Sequence, residues 1–293
     1  MRRVPATVPD VPLNNGVGMP QLGFGVFQVG DDEARAAVVT ALDCGYRSID
    51  TAALYGNEHG VGAAVRASEI SREELFITTK LWNADQGAGR VRPAFERSLD
   101  KLGLDYVDLY LIHWPVPSRD LFVETWQEFE RLYADGRMRA IGVSNFTPSQ
   151  LTRLLDETGV VPVVNQIELH PGFQQPELRA FHHEHGITTE AWSPLGQGAA
   201  LEHPVIAGLA ARHGKTPAQV VLRWHLDLGN VVIPKSVTPR RIEENLSVFD
   251  FELTAEDARA IAGLDSGKRI GPDPAVVGSK PSGFSTKIDT SIT

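Results

Sequence analysis

One unit recurs along this chain of 293 residues: a short run of apolar and β-branched residues, followed by a longer amphipathic stretch. The short runs lie at 22–25, 48–50, 75–80, 107–113, 139–144, 163–168, 188–192 and 231–235. Helical periodicity fills the gaps, as at 31–42, 91–102, 121–134, 176–185 and 217–228. Thr147-Pro148 and Thr216-Pro217 each place a capping residue before a proline suited to the first helical turn. Strands that alternate with helices pair in parallel, and eight such units predict closure into a (β/α)8 TIM barrel.

An open, doubly wound sheet is the rival architecture, and a dinucleotide bound there requires G-x-G-x-x-G after a strand. Gly23-Phe-Gly25-Val-Phe-Gln28 and Gly60-Val-Gly62-Ala-Ala-Val65 both lack the third glycine. The barrel is therefore preferred, and a nucleotide would have to be held by other means. Barrels of this kind run to about 250 residues or more as one unit, so residues 1–293 are expected to form a single domain. Ahead of the first strand, 11–20 is expected to be a β-hairpin turning at Asn15-Gly16 in a type I′ turn and plugging the barrel bottom. After Leu264 the chain becomes rich in Gly, Pro and Ser, which predicts a C-terminal loop over the barrel mouth, with 1–10 and 279–293 as mobile ends.

A formal charge of −9 argues against nucleic acid and anionic membranes as partners. Cys44 is the only cysteine, which excludes an intrachain disulfide and any multi-cysteine zinc site and suits a reducing cytoplasm. No secretory signal is legible in the first ten residues, and no apolar run nears the ~18 residues that span a bilayer. His182, His183 and His185 lack the carboxylate or thiolate company of a metal site and are read as a solvated helix face, so no metal is expected. Cys44 is read as a core residue.

Polar side chains gather at the C-terminal ends of the proposed strands, where barrel enzymes build their sites. Asp50, Tyr55, Lys80 and His113 form a set with a chemical logic. Reducing a carbonyl requires a proton for oxygen as hydride reaches carbon. Tyr55 can donate that proton, Lys80 can stabilise the phenolate left behind, Asp50 can hold the buried ammonium, and His113 can orient the substrate oxygen. Ordinary loop residues would not show this joint spacing.

The same segments carry a family resemblance. Gly45-Tyr-Arg-Ser-Ile-Asp50-Thr-Ala-Ala-Leu-Tyr55-Gly-Asn-Glu58, Thr79-Lys80-Leu-Trp82, Leu111-Ile-His113-Trp-Pro, Gly142-Val-Ser144-Asn145-Phe, Asn165-Gln166-Ile-Glu-Leu-His170-Pro and Ile233-Pro-Lys235-Ser-Val-Thr238 resemble the signature segments of aldo-keto reductases. The resemblance runs unbroken from about Val11 to Leu264 and is closest to prokaryotic 2,5-diketo-D-gluconate reductase-like members. It implies an NADP(H)-dependent enzyme with Asp50, Tyr55, Lys80 and His113 as the catalytic tetrad. It further implies that Ser144, Asn145 and Gln166 bind the nicotinamide carboxamide, that Trp192 stacks on the ring, and that Ser193, Leu195 and Gly196 lie along the pyrophosphate. Glu244 and Asn245 match the family's adenine contacts.

Lys235, Ser236, Val237, Thr238 and Arg241 put two cations and two hydroxyls at a helix start, chemistry suited to a 2′-phosphate, so NADP(H) is expected over NAD(H). Phe27 stands where many animal members carry tryptophan, and the C-terminal loop is shorter than those that enclose steroids. Phe27, Trp82, Trp114 and the segment after Gly271 are the expected substrate pocket for a small carbonyl compound. Two other classes fit less well: a cofactor-sensing regulatory protein, which a complete tetrad disfavours, and a barrel metallohydrolase, for which only His113 and Asp50 lie suitably. A monomer is the expected oligomeric state.

Overall fold

A strand places alternate side chains on opposite faces, so each inward residue of a closed barrel is followed by one that faces the helices. The computed structural model, which describes residues 8–278, shows this alternation around a parallel barrel. The strands are β1 (Asp10–Pro12), β2 (Gly18–Pro20), β3 (Phe24–Gly25), β4 (Ser48–Asp50), β5 (Phe76–Leu81), β6 (Val107–Ile112), β7 (Met138–Ser144), β8 (Val164–Glu168), β9 (Thr188–Trp192) and β10 (Val231–Val232). The helices are α1 (Asp31–Cys44), α2 (Glu58–Ala67), α3 (Val91–Leu102), α4 (Phe122–Ala134), α5 (Pro148–Glu157), α6 (Pro176–Glu184), α7 (Pro204–His213), α8 (Pro217–Asp227), α9 (Pro239–Leu246) and α10 (Ala255–Ala262).

Strands β3 to β10 follow one another in sequence order, each parallel to the next. The ring closes where the Gly23 amide donates to Val232 (2.8 Å), the Gly25 amide to Pro234 (3.1 Å) and the Val232 amide to Gln21 (3.0 Å). This seam explains the first glycine pair. A Cβ on Gly25 would stand 3.0 Å from the Ile233 carbonyl oxygen, and one on Gly23 would stand 2.9 Å from the Ser48 hydroxyl. The second pair serves helix packing: Cβ atoms at Gly60 and Gly62 would fall 2.1 Å and 2.0 Å from the carbonyl oxygens of Asp31 and Leu102. Neither pair is a phosphate loop.

Both proline starts behave as expected, with Thr147 and Gln150 boxing α5 and Thr216 and Gln219 boxing α8. In β6, Leu109 and Leu111 face the barrel interior with Phe76, Ala140, Val164 and Val231, whereas Tyr110 and Ile112 join the layer beneath the helices. The β1–β2 hairpin sits under that interior and buries Leu13 and Met19 in it. Burial of each such side chain contributes about 1.5–3 kcal/mol. Asn14 and Asn15 fasten the hairpin to the barrel through the carbonyls of Pro162, Gly186 and Arg139.

The hairpin turn differs from the type I′ expectation. Only Gly16 takes a positive φ (84°), and the Leu13 carbonyl accepts from the Gly16 amide while the Leu13 amide donates to Val17. Asn14-Asn15-Gly16 is thus a three-residue loop, a type I-like turn followed by one left-handed glycine. Within the stretch 1–10 expected as a mobile start, Asp10 pairs with Pro20; residues 1–7 and 279–293 lie outside the described residues.

Two further corrections concern helix faces. His182 is buried rather than solvated, with Nδ1 2.8 Å from the Thr189 hydroxyl and Nε2 2.9 Å from the Asn165 amide. Desolvation pushes its pKa down to about 3, so it is a neutral packing element. Cys44 is half-buried against the core edge, and burial raises its thiol pKa, with Glu243 and Asp43 adding to the effect. No cluster of three or more metal-ligating side chains occurs among the described residues, and no helix among them is long and apolar enough to cross a membrane.

The stretch after α10 crosses the barrel mouth. The amides of Ile270 (2.5 Å) and Gly271 (3.1 Å) donate to the carboxylate of Glu168, at the end of β8. Val277 is buried against Trp114 and Val116.

Candidate active site

Strand parity decides which polar side chains meet. Ser48 and Asp50 of β4, Thr78 and Lys80 of β5, Ser144 of β7, Gln166 of β8 and Glu190 of β9 all stand in the inward phase, and His113 continues that phase just past β6. They converge in the upper half of the barrel, above the apolar layer sealed by the hairpin. Tyr55 reaches them from a 3-10 turn, Ala53–Tyr55, which follows β4.

An ammonium has three hydrogens, and Lys80 spends all three here. Its Nζ donates to Asp50 Oδ1 at 2.6 Å, to the Thr51 carbonyl at 2.9 Å and to the Tyr55 hydroxyl at 3.3 Å. The lysine side chain is fully buried. Burial alone would lower its pKa, but Asp50 and then Tyr55 more than offset this and the net shift is upward, so the cation persists. Burial raises the Tyr55 pKa against the pull of Lys80, which leaves a protonated phenol in the resting site. His113 is pushed well below the usual imidazole range, first by burial and then by the Lys80 charge, so it is neutral. Its Nδ1 is buried without a hydrogen-bond partner among the described residues.

The expected pocket residues border this set. Phe27 lies 5.0 Å from Tyr55, Tyr55 lies 5.6 Å from His113, and His113 lies 5.4 Å from Trp82, measured between ring centroids. The four rings form one continuous aromatic wall. Trp114 is buried behind it with Val116 and Val277, and Trp82 and Trp192 pack alongside. Asn57, absent from the expected set, braces the wall: its Nδ2 donates to the carbonyls of Val26 and Val29, and its Oδ1 accepts from the Thr51 hydroxyl. The Phe27 loop and the Tyr55 turn are therefore held to each other.

Across the mouth, Asn145 takes a left-handed backbone (φ 66°) and links several groups. Its Nδ2 donates to the His113 carbonyl and to Ser144 Oγ, and its Oδ1 accepts from the Trp192 indole N–H at 2.8 Å. Ser144 Oγ donates to the Gln166 carbonyl at 2.8 Å. Trp192 lies so close beneath the C-terminal loop that a Cβ on Gly271 would stand 2.4 Å from its ring. Ser193 (φ 47°) and Gly196 (φ 60°) then turn the chain with Leu195 along the rim.

Farther out, Lys235 bridges to Gly25 at the barrel seam, and Ser236 Oγ accepts from the Thr238 amide at 3.2 Å, so Val237 sits in a tight turn before α9. Thr238 makes no side-chain cap for α9, and Pro239 occupies its first turn. Arg240 pairs with Glu244 at 2.7 Å, whereas Lys235 and Arg241 are exposed and make no ion pair among the described residues. Asn245 is buried on the inner face of the same helix.

Two carboxyl groups at the heart of the site were not singled out from the sequence. Glu168 latches the C-terminal loop, as described above. Glu190 lies beside Gln166, whose Nε2 donates both to Glu190 Oε2 (2.8 Å) and to Asp50 Oδ2 (2.9 Å). The available signal was parity: Glu190 is two residues before Trp192 and so points the same way.

Comparison with known proteins agrees with this architecture. The sequence model of the Aldo/keto reductase family matches residues 16–266, and the chain belongs to that family. It is 56% identical over 266–273 residues to methylglyoxal reductase DkgA of Yersinia pestis and of Escherichia coli K12, covering at least 90% of this chain and 96% of theirs. Among solved structures, an aldo/keto reductase from Brucella melitensis is 59% identical with a TM-score of 0.86, covering 88% of this chain and 98% of its own. A variant of Gox0644 in complex with NADPH is 48% identical with a TM-score of 0.89, covering 93% of this chain and 99% of its own.

Proposed function

We propose that this protein is an NADPH-dependent reductase of small aldehydes, ketones or keto-sugars, with methylglyoxal a leading candidate, and that Tyr55 supplies the proton. The observation that carries the reading is the Lys80 ammonium, buried and shared between Asp50, Thr51 and the Tyr55 hydroxyl. Activity and cofactor of the relatives support it: DkgA is named a methylglyoxal reductase and Gox0644 binds NADPH.

NADPH supplies a hydride to the carbonyl carbon when bound. As negative charge builds on the carbonyl oxygen, the Tyr55 hydroxyl donates its proton to that oxygen, and Lys80 stabilises the phenolate that remains. Asp50 keeps Lys80 charged and aimed at Tyr55. A neutral imidazole has one N–H; with Nδ1 buried and unpartnered, His113 carries it on Nε2 and donates to the substrate oxygen. The wall of Phe27, Tyr55, His113 and Trp82, backed by Trp114, excludes water and favours a small substrate.

The polar side chains at the mouth fit the cofactor, Gln166 with its side-chain oxygen as an acceptor. Ser144, Asn145 and Gln166 receive the carboxamide and Trp192 lies at the ring, while Ser193, Leu195 and Gly196 follow the pyrophosphate. Lys235, Ser236, Val237, Thr238 and Arg241 receive the 2′-phosphate at the uncapped start of α9, with its unpaired cations and open amides. Glu244, which is shared with Arg240, and Asn245 border the adenine. The chain is proposed to act as a single domain and a monomer in the cytoplasm.

The test is NADPH oxidation followed by absorbance with methylglyoxal, α-diketones and keto-sugars, with NADH in parallel. Substrate-dependent oxidation that favours NADPH is expected. Tight NADPH binding without turnover on any of them would overturn the reading in favour of a cofactor-sensing role.

A further inference from the structure

Glu190 is a fully buried carboxyl group with no cation bonded to it among the described residues, in the same interior layer as the tetrad. Its register partners are Gln166 on β8 and Val231 on β10, so its own strand neighbours supply one amide and one apolar side chain. The titratable groups that face it are Asp50 from β4 and Lys80 from β5, with Tyr55 beyond them. Lys80 is already committed to Asp50, Thr51 and Tyr55. The layer thus contains two carboxyl groups and one cation, and that cation has no hydrogen left for the second.

Gln166 joins the two acids. A single nitrogen contacts both Asp50 Oδ2 and Glu190 Oε2, and it must be the amide nitrogen because the lysine-bound carboxylate of Asp50 accepts there. Both amide hydrogens are spent on these acids, so Gln166 presents only its carbonyl oxygen to a ligand. Glu190 Oε1, at the far side, is buried with no hydrogen-bond partner among the described residues. A hydroxyl without a partner costs far less there than an uncompensated negative charge.

We propose that Glu190 is a positioning residue that works in its protonated form, fixing the amide of Gln166, and that its ionisation limits carbonyl reduction on the alkaline side. The proposal rests on the reading of Tyr55 as the proton donor. Burial and the Asp50 charge push the Glu190 pKa up to about 8, against the smaller opposing pulls of Gln166 and Lys80. The sign follows directly. Below that pH Glu190 is neutral, and Asp50 is the one negative charge set against the Lys80 cation beside the phenolate formed at Tyr55. Above it, a second negative charge raises the Tyr55 pKa and disfavours the phenolate, so proton donation slows. The loss is about tenfold for each unit by which the phenol is weakened, if the proton is fully transferred in the rate-limiting step.

The experiment pairs an infrared titration with single-turnover NADPH oxidation as a function of pH, in the wild type, Glu190→Gln and Glu190→Ser. The wild type is expected to show a protonated-carboxyl C=O band that disappears near pH 8 together with a fall in rate. Both neutral variants are expected to lack that band and that limb, whatever their absolute rates. A wild type without the band at neutral pH, or a limb that persists in either folded variant, overturns the proposal. The infrared arm reads Glu190 without turnover, and Tyr55→Phe reads the donor, so the failure of one assignment is separable from the failure of the other.

Discussion

The interior layer of the barrel and its outer rim at α9 solve opposite problems. In the layer, Lys80, Asp50, Gln166 and Glu190 are buried, and nearly every hydrogen is committed before any ligand arrives. At the rim, Lys235 and Arg241 are exposed, free of ion pairs among the described residues, and set at a helix start that the Thr238 side chain does not cap. The layer spends folding energy to hold the Lys80 ammonium and the Tyr55 hydroxyl in one geometry. The rim keeps its charge available, because exposed cations stay solvated by water and are not committed to a protein partner among the described residues. Preorganisation suits groups that act on a developing charge, whereas open cations suit a ligand that arrives fully charged.

The sharpest way to break the comparison is Tyr55→Phe. Loss of the proton donor is expected to lower the single-turnover rate by about 100- to 10,000-fold, the range for removal of a general acid. NADPH affinity, measured by fluorescence titration, should remain near the wild-type value, and near-normal turnover would refute the donor assignment.

Lys80→Met tests whether the layer contributes to stability as well as chemistry. It leaves Asp50 as an unpaired buried charge, which costs about 3–5 kcal/mol in denaturant unfolding. A variant as stable as the wild type would mean that water already compensates the layer.

The rim should show the reverse pattern. Lys235→Ala with Arg241→Ala is expected to weaken NADPH by about 10- to 100-fold per lost charge-assisted hydrogen bond. NADH affinity should change little, and stability should stay within about 0.5 kcal/mol because both side chains are exposed. Equal losses for the two cofactors would remove the 2′-phosphate from this site.

How much was legible beforehand follows the same division. The order of the strands, the proline-started helices and the inward phase of Asp50, Lys80 and His113 are local properties, written as periods of two and 3.6 and as caps. The type I′ expectation at Asn15-Gly16 failed because the dipeptide allows that turn without requiring it, and the three-residue loop lets Asn14 and Asn15 reach carbonyls far along the chain. His182 was misread because its neighbours His183 and His185 suggested a polar face. Its partners, Thr189 and Asn165, come from adjacent strands that no helical pattern reveals.

By itself the sequence determined the barrel and the family and offered candidates such as Asp50, Tyr55, Lys80 and His113, though not Asn57, Glu168 or Glu190, because these readings depend on patterns within one strand, one turn or one motif. Only the tertiary structure decided which of those residues share one environment. The distance from Gln166 to Glu190, the three-way division of the Lys80 hydrogens, and the Glu168 latch on Ile270 and Gly271 all depend on contacts between separate segments. The physical reason is that burial and charge compensation belong to the space between strands. A carboxyl group such as Glu190 has its protonation state set there, by neighbours that its own segment does not contain.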